Sequence, residues 1–155
     1  MQDQVATSAV GCAPAVLCRS KRAPFEPGDV QCPYCHSDAI LVDDSAVYRV
    51  SSGGKVWLCQ PCRAWVGVHR DSKANAPKGR LAKADLRALK VRAHVVFDRF
   101  WRAAVEKRGW ARQKARNLAY HWLAEQMGIP VKKCHIGYFD EKQTRQAIEI
   151  CERSR

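Results

Sequence analysis

The chain has 155 residues and a formal net charge of +12, from 27 Lys and Arg against 15 Asp and Glu. That length suits one domain with an ordinary core, or a small metal-stapled module joined to a compact helical one. No stretch approaches the roughly 18 consecutive apolar residues a membrane span needs, and such an excess of positive charge favours polyanionic partners, nucleic acid first.

The charge is unevenly placed. Residues 1–70 carry 7 Lys and Arg against 6 Asp and Glu, whereas residues 71–155 carry 20 against 9, so +11 of the total lies in the second half. The first segment, "MQDQVATSAVGCAPAVLCRSKR", has an apolar middle but lacks a basic leader, carries Asp3 and is interrupted by Pro14. "AVLC", ending at Cys18, resembles a lipoprotein cleavage site, except that Leu17 stands where a small residue is wanted. Residues 1–28 are expected to be a disordered leader, closed by "APFEPGD". With no export signal read, eight cysteines point to a reducing, cytoplasmic setting, and to metal or free thiols over disulfides.

"QCPYCHSDAI" and "WLCQPCRAWV" each contain a Cys-x2-Cys pair, and 23 residues separate Cys35 from Cys59. Two residues between cysteines let a tight turn aim both sulfurs at one point, and two such knuckles complete a tetrahedral site. "AILVDD", "SAVYRV", "VWLC" and "RAWVGVH" are strand-like, with "SSGGK" as a turn. The plan is a zinc ribbon over residues 29–72. One Zn(II) per chain, held by Cys32, Cys35, Cys59 and Cys62, is closed to water and substrate and therefore structural. A redox dithiol would place one pair at a helix N-terminus, which neither pair does. With four thiolates and Zn(II), residues 32–70 come to a formal charge near −1, from 4 Lys and Arg, 3 Asp and Glu, and −2 at the metal. His36 and His69 are stand-in ligands that four cysteines make unnecessary. Cys12, Cys18, Cys134 and Cys151 have no ligand spacing and read as unpaired or buried thiols.

Residues 78–155 form a basic helical module. A helix is predicted from about Leu81 to Arg108, with Leu86, Leu89, Ala93, Phe97, Phe100 and Ala104 as its apolar stripe. Arg80, Lys83, Arg87 and Lys90, followed by His94, draw a cationic ridge beside it. Gly109 ends this helix. A second, about Ala111 to Met127, is expected to bury Ala115, Leu118, Ala119, Trp122 and Leu123 and to close at Gly128 before Pro130. Asp140, with Gln143 in the reciprocal position, caps a last helix whose Ala147, Ile148 and Cys151 face inward. "LAEQMGIPVKKCHI" also fits a helix-turn-helix, with Lys132, Lys133 and His135 facing a groove, although a helix ended by Gly and Pro produces most of that signal.

Residues 78–116 hold 13 Lys and Arg against Asp85, Asp98 and Glu106. Arg80, Lys83, Arg87, Lys90, Arg99, Arg102, Arg112 and Arg116 are the candidate phosphate contacts, and Trp110, expected to be exposed, is a candidate base-stacking residue. His94 with Asp98, and His135 with Asp140, would make a metal-dependent nuclease site were the two segments packed together. No P-loop, serine nucleophile motif or paired catalytic carboxylates appear, so binding is expected ahead of catalysis.

The segments "CPYCHSDAILVD", "VWLCQPCRAWVGVH", "LAKADLRALKVRAHVVFD", "AYHWLAEQMGIP" and "CHIGYFD" resemble a family of small zinc-finger-containing proteins of bacteriophages and prophages. The resemblance runs from about Gln31 to the C-terminus, places metal ligands at Cys32, Cys35, Cys59 and Cys62, and implies a phage-encoded protein of a host bacterial cytosol. Zinc knuckles often carry glycine after the second cysteine, where a left-handed backbone is wanted, whereas His36 and Arg63 stand there. The reading is an α+β protein whose ribbon supports a nucleic-acid-binding helical module. A factor that docks on an acidic surface of a host enzyme or defence complex is the alternative.

Overall fold

The computed structural model describes residues 28–154. The expected leader, apart from Gly28, and with it Cys12 and Cys18, lies outside the described residues.

The first knuckle is a tight turn closed by backbone bonds from Cys32 N to Ser37 O and from His36 N to Cys32 O, both 2.9 Å. It feeds β1 (Ile40–Asp43), which pairs antiparallel with β2 (Lys55–Leu58), Leu41 standing opposite Trp57. The second knuckle reverses the chain, Cys59 N donating to Ala64 O at 2.8 Å, into β3 (Trp65–Gly67), antiparallel to β2. His36 and Arg63 adopt φ of 60° and 53°. The left-handed backbone that knuckles require is therefore imposed on two non-glycine residues.

"SAVYRV" is not the strand its composition predicts. Asp44–Ala46 is a 3-10 turn, and the Asp44 side chain, only 3% exposed, gathers the loop behind it. It accepts from the Ser51 hydroxyl, from the Ser52 N–H and hydroxyl at 3.0 and 2.6 Å, and from Gly54 N–H at 3.3 Å. These donors, led by Ser51, hold the carboxyl well below the usual carboxylate range. A side chain that satisfies so many loop donors removes the incentive to extend the ladder.

After β3 the chain doubles back along it. Val68 bridges Pro77, and Trp65 and Ala82 exchange both backbone hydrogen bonds at 3.1 Å. Leu81, 1% exposed, packs into the ribbon core with Cys32, Trp57 and Cys59. The long helix α1 therefore starts at Ala84 and not at Leu81, since Leu81 and Ala82 are held extended by the ribbon.

α1 (Ala84–Arg108) ends at Gly109, and α2 (Arg112–Met127) ends at Gly128, each glycine at φ 64°. α3 (Glu141–Arg153) opens with the expected capping box: Gln143 N donates to Asp140 Oδ1 at 2.8 Å and Asp140 N to Gln143 Oε1 at 3.2 Å. The three helices enclose a second core around Phe97, Leu123, Ile136, Phe139 and Ala147. Being packed against both α2 and α3, α1 buries Val96 and Trp101 along with Ala93 and Phe97, while Leu89, Phe100 and Ala104 sit at the edge. On α2, Tyr120 is buried where Leu118, 45% exposed, was expected.

The helix-turn-helix does not form. Beyond Pro130 the chain makes single 3-10 turns at Val131–Lys133 and Ile136–Tyr138, separated by extended backbone at His135, so Lys132 and Lys133 are on no recognition helix. That segment instead meets the ribbon's exit. Arg80 N donates to Gly137 O at 3.1 Å, and a Cβ on Gly79 would overlap the Gly137 carbonyl, as one on Gly137 would stand 2.6 Å from Lys78 O. Among the described residues, no helix is long and apolar enough to cross a membrane.

Gly79→Ala is expected to lower the stability of the whole chain by about 2 kcal/mol, because backbone on both sides must move. Gly67→Ala, whose Cβ would meet nothing nearer than 3.8 Å, is the matched control and should stay within about 0.5 kcal/mol in urea unfolding.

Candidate metal centre and cationic seam

The sulfurs of Cys32, Cys35, Cys59 and Cys62 all lie within 4.8 Å of one another, and Cys35 Sγ stands 3.5 Å from Cys59 Sγ. Four sulfurs at about 2.3 Å from a tetrahedral Zn(II) would be about 3.8 Å apart. The separations, from 3.5 Å for one pair to no more than 4.8 Å for any, bracket that spacing. Cys32 and Cys59, at the first position of each knuckle, are buried, while Cys35 is exposed and Cys62 half-buried. The Ser37 hydroxyl and N–H both donate to the Cys35 sulfur and bring its pKa down to about 6. Hydrogen bonding with Cys35, reinforced by burial, pushes Cys62 up. Metal capture then starts from the Cys35 thiolate and displaces the protons that Cys59 and Cys62 hold. With four sulfurs converging on one point, the centre holds one structural zinc and leaves no position for substrate.

The cations of the helical half separate into two groups. Arg80 precedes α1 and Lys83 is its N-cap, with Lys83 Nζ 4.8 Å from the centre of the Tyr34 ring. Arg87 donates to Ala82 O and lies 4.5 Å over Trp65, and burial lowers its pKa. Lys90 Nζ donates to Gly137 O at 2.7 Å; burial, then the neighbouring Arg80 charge, brings it down to about 8. What reads in sequence as an open ridge is, at Arg87 and Lys90, turned toward the ribbon.

Further along α1, Arg102 pairs with Asp98 at 3.3 Å and lies 5.3 Å over Trp101, with Arg112 of α2 5.2 Å from the same ring. Arg116, one turn on, lies 5.8 Å from Tyr120. Arg99 is exposed. Positions 87, 90, 94, 98 and 102 of α1, and 112, 116 and 120 of α2, are spaced by three and four residues and make one band. Trp110 is half-buried against the helical core, with Arg108 and Lys114 about its ring at 5.2 and 5.5 Å, so it is not the free stacking residue expected.

His94 and His135 do reach one pocket, between β3 and the α1–α2 seam. Burial lowers the pKa of both. His135 Nδ1 accepts from Gly137 N at 3.2 Å and the ring stacks on Tyr120, which places the neutral ring's proton on Nε2. The carboxylates of the expected nuclease constellation are engaged elsewhere. Asp98 accepts from Trp101 Nε1 at 2.8 Å, and Asp140 caps α3. Among the described residues, the four cysteines are the group that gathers three or more metal-binding side chains. Cys134 and Cys151 are buried thiols pushed up to about 11 by burial, as their apolar positions imply.

Purified protein is expected to carry one zinc per chain by elemental analysis. Stripping it with a chelator, or replacing Cys59 with Ser, should expose the fully buried Trp57 and shift tryptophan emission to the red. Full retention of the blue emission without metal would show that the ribbon core stands without the cage.

A family of zinc-finger-containing domains matches residues 29–154, from the first knuckle through α3. No curated protein and no solved structure matches the chain. A match of that extent, on a chain whose four cysteines close one metal-sized cage, establishes the chain as a member of the zinc-finger-containing domain family.

Proposed function

We propose that this protein binds nucleic acid along the α1–α2 seam, with the ribbon as a rigid scaffold. The observation that carries the reading is the alignment of Arg102, Arg112 and Arg116 along two packed helices, continued toward the ribbon by the half-buried Arg87 and Lys90, with Asp98 as the one carboxylate in the band and already paired to Arg102. From Arg87 to Arg102 the helix rises about 22 Å at about 1.5 Å per residue. Along the duplex axis a strand carries a phosphate about every 3.4 Å, so a span of that length passes about six phosphates, of which those on the facing side of the duplex are within reach. Contacts of this kind supply affinity and register without reading bases. Lys83 and Arg99 extend the positive field at its edges. The metallated ribbon, formally near −1, does not compete for the same ligand.

The resemblance of the sequence to phage and prophage proteins supports an accessory role in a bacterial cytosol. A second reading, docking on a host protein, is favoured by one feature. At the far end of the seam Phe100 and Trp122 meet with their rings tilted and centroids 4.7 Å apart, beside the exposed Leu118 and flanked by Lys107 and Arg108, an apolar trough with a basic rim.

With about five cations engaged, duplex DNA binding followed by fluorescence anisotropy should weaken with a log–log salt slope near −4.5, and Arg102→Ala or Arg112→Ala should each reduce that slope by about one. A salt-independent affinity, or none, would transfer the weight to the protein-docking reading.

A further inference from the structure

The pocket at the ribbon–helix junction has a volume of about 360 Å³ and an unusual lining. The exposed Lys78 and the half-buried Arg80 come from the segment leaving the ribbon, Arg87 and Lys90 from α1, and Arg116 from α2, and no Asp or Glu lines the pocket. None of these five cations has an ion pair among the described residues, where the pairs involve Arg92, Arg102, Arg145 and Arg153. Instead Arg87 and Lys90 point at single carbonyl oxygens, of Ala82 and Gly137. Partly buried cations without an anion are costly, and proteins ordinarily give them one. The segment leaving the ribbon, seated on the 136–138 turn by a backbone contact that excludes even a methyl group, meets α1 and α2 at a pocket lined by no carboxylate.

We propose that this junction pocket is a binding site for a phosphomonoester, with Arg80, Arg87, Lys90 and Arg116 as its anion ligands and His135 donating from Nε2. The inference deepens the nucleic-acid reading and rests on it only for the source of the ligand. Guanidinium groups meet phosphate oxygens in a bidentate fork, and four cations suit a dianionic terminal phosphate better than a singly charged diester. The volume falls in the range of small-ligand pockets and admits a sugar with the phosphate. Gly67 also lines it, and there a side chain would meet nothing nearer than 3.8 Å, so its absence leaves room beside β3. The same chemistry is offered by a phosphorylated strand end and by a free mononucleotide.

The test uses the full zinc-loaded chain and short fluorescent oligonucleotides carrying a 5′-phosphate, a 3′-phosphate or hydroxyl ends, with AMP, adenosine and inorganic phosphate as competitors. The wild-type protein should bind one phosphorylated end at least tenfold more tightly than the hydroxyl-ended strand, or bind AMP but not adenosine. Lys90→Met should remove that discrimination while keeping or raising the thermal midpoint, since it deletes a partly buried cation. Arg116→Gln provides a second variant that leaves the Lys90–Gly137 bond intact, and Arg102→Ala, outside the pocket, should weaken all strands alike. Phosphate-end discrimination in wild type identifies the source as nucleic acid. AMP binding without any oligonucleotide binding identifies a free nucleotide, upholds the pocket and overturns the proposed function. Strand binding that ignores terminal phosphate, together with no response to AMP or inorganic phosphate, or discrimination that survives both pocket variants, overturns the site.

Discussion

The ribbon, and with it the placement of the long helix, depends on four sulfurs reaching one point. Strands of four, four and three residues bury too little to fold alone, and the small ribbon core is built directly on the buried Cys32 and Cys59 beside Trp57. Leu81 belongs to that same core although it lies three residues before α1. The metal centre thus fixes Leu81, Leu81 and the Trp65–Ala82 bridge fix where α1 begins, and the start of α1 decides which of its faces carries Arg87 and Lys90 toward the ribbon. The position of the cationic seam is a downstream consequence of thiolate geometry.

Local chemistry was legible where a residue type admits few alternatives. The knuckles, the capping box of Asp140 and Gln143 and the glycine stops at Gly109 and Gly128 follow from spacing alone. So does the left-handed backbone at His36 and Arg63. Side-chain destinations set by tertiary partners were less readable. "SAVYRV" has strand composition, but Asp44 offers the loop a better set of hydrogen bonds than a ladder would. Arg80 looks like the first member of a helical ridge because it stands seven residues before Arg87, yet the ribbon claims the chain through Ala82. Trp101 and Tyr120 have the same apolar spacing as their neighbours, and the choice between them and Phe100 or Leu118 is made by α3 and by the 136–139 turn, which no local pattern encodes.

The seam also shows how charge and stability oppose one another. An all-solvent ridge would hold its cations at little cost, but Lys90 is desolvated far enough to bring its pKa down to about 8. By linkage, a lysine bound more weakly to its proton in the folded state than in the unfolded one makes folding less favourable below about pH 8, an effect relieved as pH rises from there toward its ordinary value of 10.5. Such a charge near neutral pH is a standing destabilisation at the junction between the two cores. Charges retained against stability are a mark of sites that act on something outside the chain.

The two halves are therefore joined as two walls of one pocket. Trp65 and Gly67 of β3 line the junction pocket, and they begin three residues beyond Cys62. Losing the second knuckle removes the wall against which Arg87 lies and the anchor that holds Arg80 at Gly137. The Gly79–Gly137 contact is backbone against backbone, so the ribbon's exit cannot move closer to the 136–138 turn without displacing it. A disturbance at the sulfurs that shifts this exit therefore alters the spacing of Arg80 and Lys90, both of which donate to Gly137 O. The structural zinc, closed to substrate, shapes the charged surface by holding the wall on which that surface depends.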